Sequence, residues 1–173
     1  MDHEGQTATP FFRAVSGDLA TPILHRLEIP GPPVPWAAKQ TNPKSGNRFI
    51  PSRQVEATAR VMQAAKELLD AGGEPFKVGE PLAISAVFFV KRPKGHYGTG
   101  RNARRLKPQF AKAWPTGKPD LSNLVKLVED GLVLAGLLPD DDQIVRLDGP
   151  PEKRYTQEPE EQPRSVVTIR SLA

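Results

Sequence analysis

The chain has 173 residues, a net charge of +4 and no cysteine, a length that fits one domain able to bury roughly two-thirds of its unfolded surface. The missing cysteines exclude disulfides, thiolate zinc sites and cysteine nucleophiles, and no apolar run approaches the roughly 20 residues of a membrane span. The opening MDHEGQTATPFFRAVSGDLA lacks the basic start and apolar core of a secretory signal, so the reading is a soluble cytoplasmic protein.

Residues 1–20 read as a flexible polar extension, and 21–173 as the folded domain. Ile23 to Ile29 is the first strand, closed by Pro30-Gly31-Pro32-Pro33. A short strand at Arg48-Phe49-Ile50 follows the turn-rich Asn42 to Gly46. Ser52 has the character of an N-cap for a helix to Asp70, with Gly72-Gly73 as its stop. Its expected apolar side is Val55, Met62, Ala65 and Leu69, with Ala59 and Leu68 nearby.

Leu82 to Val90 (LAISAVFFV) is apolar at successive positions and β-rich, which predicts a central strand covered on both faces. Residues 91–118 show no period and read as a long functional loop. A second helix starts near Ser122 and ends before Gly136. Leu124, Leu127, Val128, Leu134 and Ala135 form its buried side, with Gly131 among them, and Ser122, Lys126, Glu129 and Asp130 its polar side. Strands at Gln143–Leu147 and Ser165–Ile169 close the domain, separated by the polar Pro150–Pro163 stretch. The order β-β-α-β-α-β-β predicts a small α+β domain.

Charge is placed unevenly along this framework. The segment from Lys91 to Lys118 carries nine Lys or Arg residues and no acid, whereas more than half of the acids lie from Asp120 onward. Lys94, Arg101, Arg104, Arg105, Lys107 and Lys118 are candidates for phosphate contact. Tyr97, Phe110 and Trp114 interrupt the positive charge, as in surfaces that combine base stacking with backbone contact. Phe110 and Trp114 also suit packing anchors, the preferred reading for Trp114. A solvated face is the plainer account of any charge run. His3, His25 and His96 are too scattered for a zinc site, and His25 falls within a strand. Glu158 to Glu161 reads as an exposed loop.

The acids carry the chemistry. Asp120 stands at the mouth of the second helix, and Asp140-Asp141-Asp142 lie just beyond its far end. Taken alone, Asp120 suits a helix-start acid favoured by the macrodipole, and the aspartate run suits a solvated turn. Taken together they form an oxygen-rich set of the kind that holds Mg²⁺, because a strand folding back along a helix can bring them together. Beside a basic stretch, such a site points to hydrolysis of a polyanion. Lys126 sits where it could reach a phosphate oxygen, or it pairs at i+4 with Asp130 on the surface.

Lys118-Pro119-Asp120-x-x-Asn123-Leu124-x-Lys126, then Asp130, then Asp140-Asp141-x-Gln143, resembles the RusA-like crossover junction endodeoxyribonucleases. Ile29 to Pro35 is similar to that family's opening strand and turn, and Arg92 to Tyr97, Gly100 to Asn102 and Leu106 to Pro108 to its basic segment. The resemblance spans roughly residues 23 to 171. It implies a mixed sheet of four to five strands packed with two main helices. It further implies a homodimer that cuts Holliday junctions, four-way DNA, symmetrically with Mg²⁺ in recombination and repair. By motif, Asp120 and Asp141 correspond to metal ligands, Asp140 and Asp130 to supporting acids, and Lys126 to the catalytic lysine. The family reads Asp-x-Asp at the helix start, whereas this chain has Ser122 at the second position. A neutral hydroxyl is a much weaker Mg²⁺ ligand than a carboxylate. The rival readings are therefore a junction-binding protein with weak or no cutting, and a nuclease of flaps or other branched DNA.

Overall fold

The computed structural model describes residues 23–172, so the predicted 1–20 extension lies outside the described residues. In chain order the elements are β1 (Leu24–Pro30), β2 (Gln40–Thr41), β3 (Arg48–Phe49), α1 (Ser52–Asp70), β4 (Leu82–Val90), α2 (Leu121–Leu134), β5 (Ile144–Leu147), β6 (Glu152–Tyr155) and β7 (Arg164–Ser171). Five of the strands form one mixed sheet in a small α+β domain. β7 runs antiparallel between β1 and β4. The other edge of β4 is shared: Leu82 to Ile84 pairs with β5 and Val87 to Val90 with β6, both parallel. β2 and β3 form a separate two-stranded ribbon, of which only the second strand was expected.

Alternation decides which side of the sheet the helices cover. His25, Leu27 and Ile29 of β1, Val167 and Ile169 of β7, and Leu82, Ile84, Ala86 and Phe88 of β4 are buried against α1 and α2. Burying side chains of this size stabilises by about 1.5–3 kcal/mol each. The opposite face carries neither helix and is only partly covered, with Ala83 buried, so β4 is not fully covered on both sides as its composition predicts. Ser85, Val87 and Phe89 there are half-buried, and their neighbours are ion pairs. Arg164 meets Glu28 and Glu161, and Arg146 and Arg170 both meet Asp148. The Arg164 guanidinium also lies 4.3 Å from the centre of the Phe89 ring.

α1 is rotated relative to the sequence reading, whereas α2 buries Leu124, Leu127, Val128 and Gly131 as expected. α1 buries Gln54, Ala57, Val61 and Ala65, whereas Val55 and Met62 are 54% and 37% exposed. The reason is the neighbour. α2 crosses with Gly131 against Val61, and a close helix crossing selects small side chains over bulky ones. In α2, Leu124, Val125, Leu127, Val128, Gly131 and Leu132 are buried, and the expected core residue Leu134 is 63% exposed. Ser52 is the first helical residue rather than the N-cap. Pro51 holds the cap position, and no side chain caps the helix. The Gln54 side chain instead accepts a bond from the Ala37 amide at 3.0 Å. At the other end Gly72, with φ +93°, turns the chain out as expected.

β6 lies within the polar Pro150–Pro163 stretch, in which no strand was expected. Its sequence, Glu-Lys-Arg-Tyr, has no apolar alternation to reveal it, and charged side chains are the usual dress of a short edge strand. The Glu158 to Glu161 run is likewise more than a solvated loop. Lys91 donates to the carbonyls of Pro159 and Glu161, Glu161 accepts from the Gln157 amide, and Glu160 pairs with Arg104 at 2.7 Å.

The 91–118 segment is an ordered loop with three short 3-10 turns, at Lys94–His96, Gly100–Asn102 and Pro108–Phe110. Tyr97 is buried, and His96 stacks on Phe110 with ring centres 4.0 Å apart. Phe110 is therefore the anchor of this loop and Trp114 is not, since Trp114 is 60% exposed. His25 is structural, with Nε2 2.7 Å from the Glu74 carbonyl oxygen and its ring edge against Phe76.

Candidate active site

The site is built on the first half of α2. The chain reaches that helix through a cis Lys118-Pro119 peptide, and Lys153 of β6 clamps the turn by donating to the carbonyls of Gly117 and Pro119 at 2.7 and 2.8 Å. Lys153 thus positions the helix mouth, a role without any local sequence signal. Asp120 occupies the N-cap, yet its carboxylate makes no capping bond and is exposed. Its place at the helix start is the one the macrodipole account requires, and that account needs no capping bond. From the other side, the Trp36 amide donates to the Asn123 carbonyl at 2.8 Å, strapping the Pro32–Ala37 turn onto α2. Between strap and helix lies a cleft of about 570 Å³ lined by Trp36, Arg53, Lys118, Asp120 and Asn123 among others.

Lys126 is the centre of charge. Its ammonium lies 3.2 Å from Asp130 and 3.7 Å from Asp141, and 5.8 Å from the centre of the Trp36 ring. The i+4 surface pair with Asp130 exists, and a remote acid, Asp141, joins it. The hydrogen bond from Lys126 to Asp130, backed by the charges of Asp130 and Asp141, raises the Lys126 pKa above its ordinary value. Glu129 is half-buried beside this group. Burial first, and then the nearby Asp141 charge, push its carboxyl up.

The structure brings together only part of the predicted set. Asp130 and Asp141 meet at Lys126, but Asp120 lies six residues earlier, about 9 Å along the helix axis, and no ion pair joins it to Lys126 among the described residues. Asp140 is spent locally: the Asp142 amide donates to its Oδ1 at 3.4 Å, capping the 3-10 turn Asp141–Gln143. Asp142 is exposed. Gln143 is a structural member of the motif, donating to the carbonyls of Lys77 and Glu80, and so holds Asp141 at its place beside α2. Ser122 is exposed on the first turn of the helix. Among the described residues no three His, Asp or Glu side chains are gathered as a metal-binding group. Carboxylates are hard-cation ligands, but among the described residues Asp120 is unengaged, whereas Asp130 and Asp141 already have the Lys126 ammonium as their partner.

The six candidate phosphate contacts differ in freedom. Lys94, Arg101, Arg105 and Lys118 are exposed. Arg104 is exposed but paired with Glu160, and Lys107 donates to the Gly95 carbonyl at 2.8 Å, which makes it partly a loop brace. Arg53, which lines the cleft, was not expected. It sits on α1, far in sequence from the basic segment.

No helix of the described residues is long and apolar enough to cross a membrane. The family model described as endodeoxyribonuclease RusA matches residues 30–170 of the chain. A comparison with curated proteins returns no match.

Proposed function

The chain belongs to the endodeoxyribonuclease RusA family, and from that premise we propose that it resolves four-way DNA junctions by paired, symmetric phosphodiester hydrolysis. The observation that carries the proposal is the joining of Lys126, Asp130 and Asp141 in the same constellation, with a free Asp120 at the head of the same helix. Its work on chromosomal or mobile DNA would be done in the cytoplasm.

The family motif assigns Mg²⁺ to Asp120 and Asp141 with Asp140 and Asp130 in support, although among the described residues Asp130 and Asp141 are paired with Lys126 and no three of the acids are gathered. When bound, the ion would offset the repulsion between acids and phosphodiester and lower the pKa of the attacking water. The residues of the chain do the rest. Lys126, held charged by its two acids, offers its ammonium to the negative charge that grows on the phosphate. Trp36 walls that ammonium on one side. Lys118 and Arg53 bind the strand where it enters the cleft, and Lys94, Arg101, Arg104 and Arg105 follow the backbone beyond it. Such contacts are salt-sensitive and indifferent to sequence. A four-way junction is close to two-fold symmetric, so a homodimer would present two such sites to opposed strands.

Ser122 favours a second reading, a junction-binding protein that cuts weakly. One experiment separates the two. The protein is incubated with a mobile four-way junction with and without Mg²⁺, and products are resolved on a denaturing gel. Metal-dependent paired nicks establish the resolvase, and Asp141→Asn then abolishes them while junction binding persists. Binding without nicks supports the second reading, with Ser122→Asp expected to restore cutting. Preferential cutting of flaps in a parallel substrate panel would replace both.

A further inference from the structure

Trp114 is a large aromatic side chain that packs against little, and what surrounds it is informative. It stands 60% exposed at a cleft of about 420 Å³ between the end of the basic loop and β6, lined by Arg92, Lys112, Arg154 and Tyr155 as well. That volume lies in the range of ligand sites. None of the cleft's lining residues is an acid.

The charges there are unequal. Arg154 is matched by Glu152. Arg92 is only 4% exposed, yet among the described residues it meets no carboxylate. Its Nε and Nη1 donate to the backbone carbonyls of Thr156 and Phe110 at 3.0 and 2.9 Å, and its guanidinium lies 5.0 Å from the centre of the Tyr155 ring. A buried cation held only by neutral dipoles keeps its charge uncompensated. Lys112, on the rim, has no ion-pair partner among the described residues. The cleft therefore combines an exposed indole face with two unmatched positive charges. A nucleobase bearing a phosphate has the complementary pair of properties.

We propose that this cleft is a subsite for one unpaired nucleobase of the DNA substrate, stacked on Trp114, with an adjoining phosphate held by Lys112 and the buried Arg92 charge. The proposal rests on the DNA reading above and adds to it a preference for bases freed from pairing, since a paired and stacked base has no open face. Stacking of this kind carries on the order of tenfold or more in affinity per base.

The test uses a four-way junction with one extra unpaired nucleotide at the exchange point, and the same junction with an abasic residue there. Backbone and charge are the same in both. The wild-type protein should bind the base-containing junction at least about tenfold more tightly. Trp114→Ala should lose that preference and Trp114→Phe retain part of it. Equal binding of the two junctions by the wild type overturns the subsite and leaves the DNA reading standing. A preference kept by Trp114→Ala overturns it as well, and failure to bind any junction overturns both readings.

Discussion

Gly131→Ala is the substitution whose outcome the packing determines most directly. Gly131 lies in the last turn of α2, where alanine would favour the helix by up to about 1 kcal/mol over glycine. A Cβ added there would come 2.7 Å from Val61 Cγ1 and 2.8 Å from Val61 Cβ. The first clash could be eased by turning the Val61 side chain. The second cannot, because Cβ moves only with the backbone, so the helices must separate along a seam in which Val61 is 1% exposed. Overpacking of this kind costs about 1–3 kcal/mol, which equals or exceeds the propensity gain. The expected net loss is about 0–2 kcal/mol, read as a lower urea midpoint at unchanged slope in far-UV circular dichroism. Val61→Ala removes the γ-methyl clash, so the double variant should lose less than the sum of the singles, by at least about 0.5 kcal/mol. A Gly131→Ala protein more stable than wild type by the propensity increment would refute the close crossing of α1 and α2.

Lys126→Met should abolish junction cutting while shifting unfolding stability by less than about 1 kcal/mol, because exposed and half-exposed ion pairs contribute little; a large stability loss would make Lys126 a structural brace. Arg105→Ala should weaken junction binding and lower the slope of log affinity against log salt by about 0.9, the share of a single phosphate. Arg104→Ala should do less, since Glu160 already matches that charge, and equal effects would count against the pairing. Asp148 offers a pH test. Hydrogen bonds from Arg170 first, and then from Arg146, hold its carboxyl below the usual aspartate range. A carboxyl lowered on folding adds stability above its unfolded pKa and loses it as pH falls through the lowered one. Asp148→Asn should therefore be less stable than wild type at neutral pH, with the gap closing in acid; a gap that persists at low pH would assign the effect to something other than charge.

Much of the fold and the kinship of the chain was legible in its sequence. β4 begins and ends where its apolar run does, Leu82–Val90, and α1 ends at Asp70, just before the Gly72-Gly73 pair that predicts its stop. The spacing of Asp120, Lys126, Asp130 and Asp140-Asp141 was sufficient to suggest the family to which the chain belongs. The strand and helix bounds are local facts that backbone preference over a few positions expresses, whereas the motif is read from residue identities along the whole of α2 and beyond. β6 was not legible, because a short charged edge strand owes its existence to bonds with β4.

The tertiary structure decided what periodicity leaves degenerate. Two stripes of α1, one residue apart, both look apolar, and only the glycine of a helix remote in sequence selects Ala57 and Val61 over Val55 and Met62. The same holds at the site. The sequence names the acids, but the return path of the chain, fixed by Gln143 on the Lys77 and Glu80 carbonyls, delivers Asp141 to Lys126 at mid-helix rather than to Asp120 at its mouth. Whether an aromatic residue in a basic loop is anchor or platform is equally invisible in one dimension. Phe110 finds His96 to stack on and Trp114 finds an open cleft, because burial depends on which surfaces a closed chain brings within van der Waals reach.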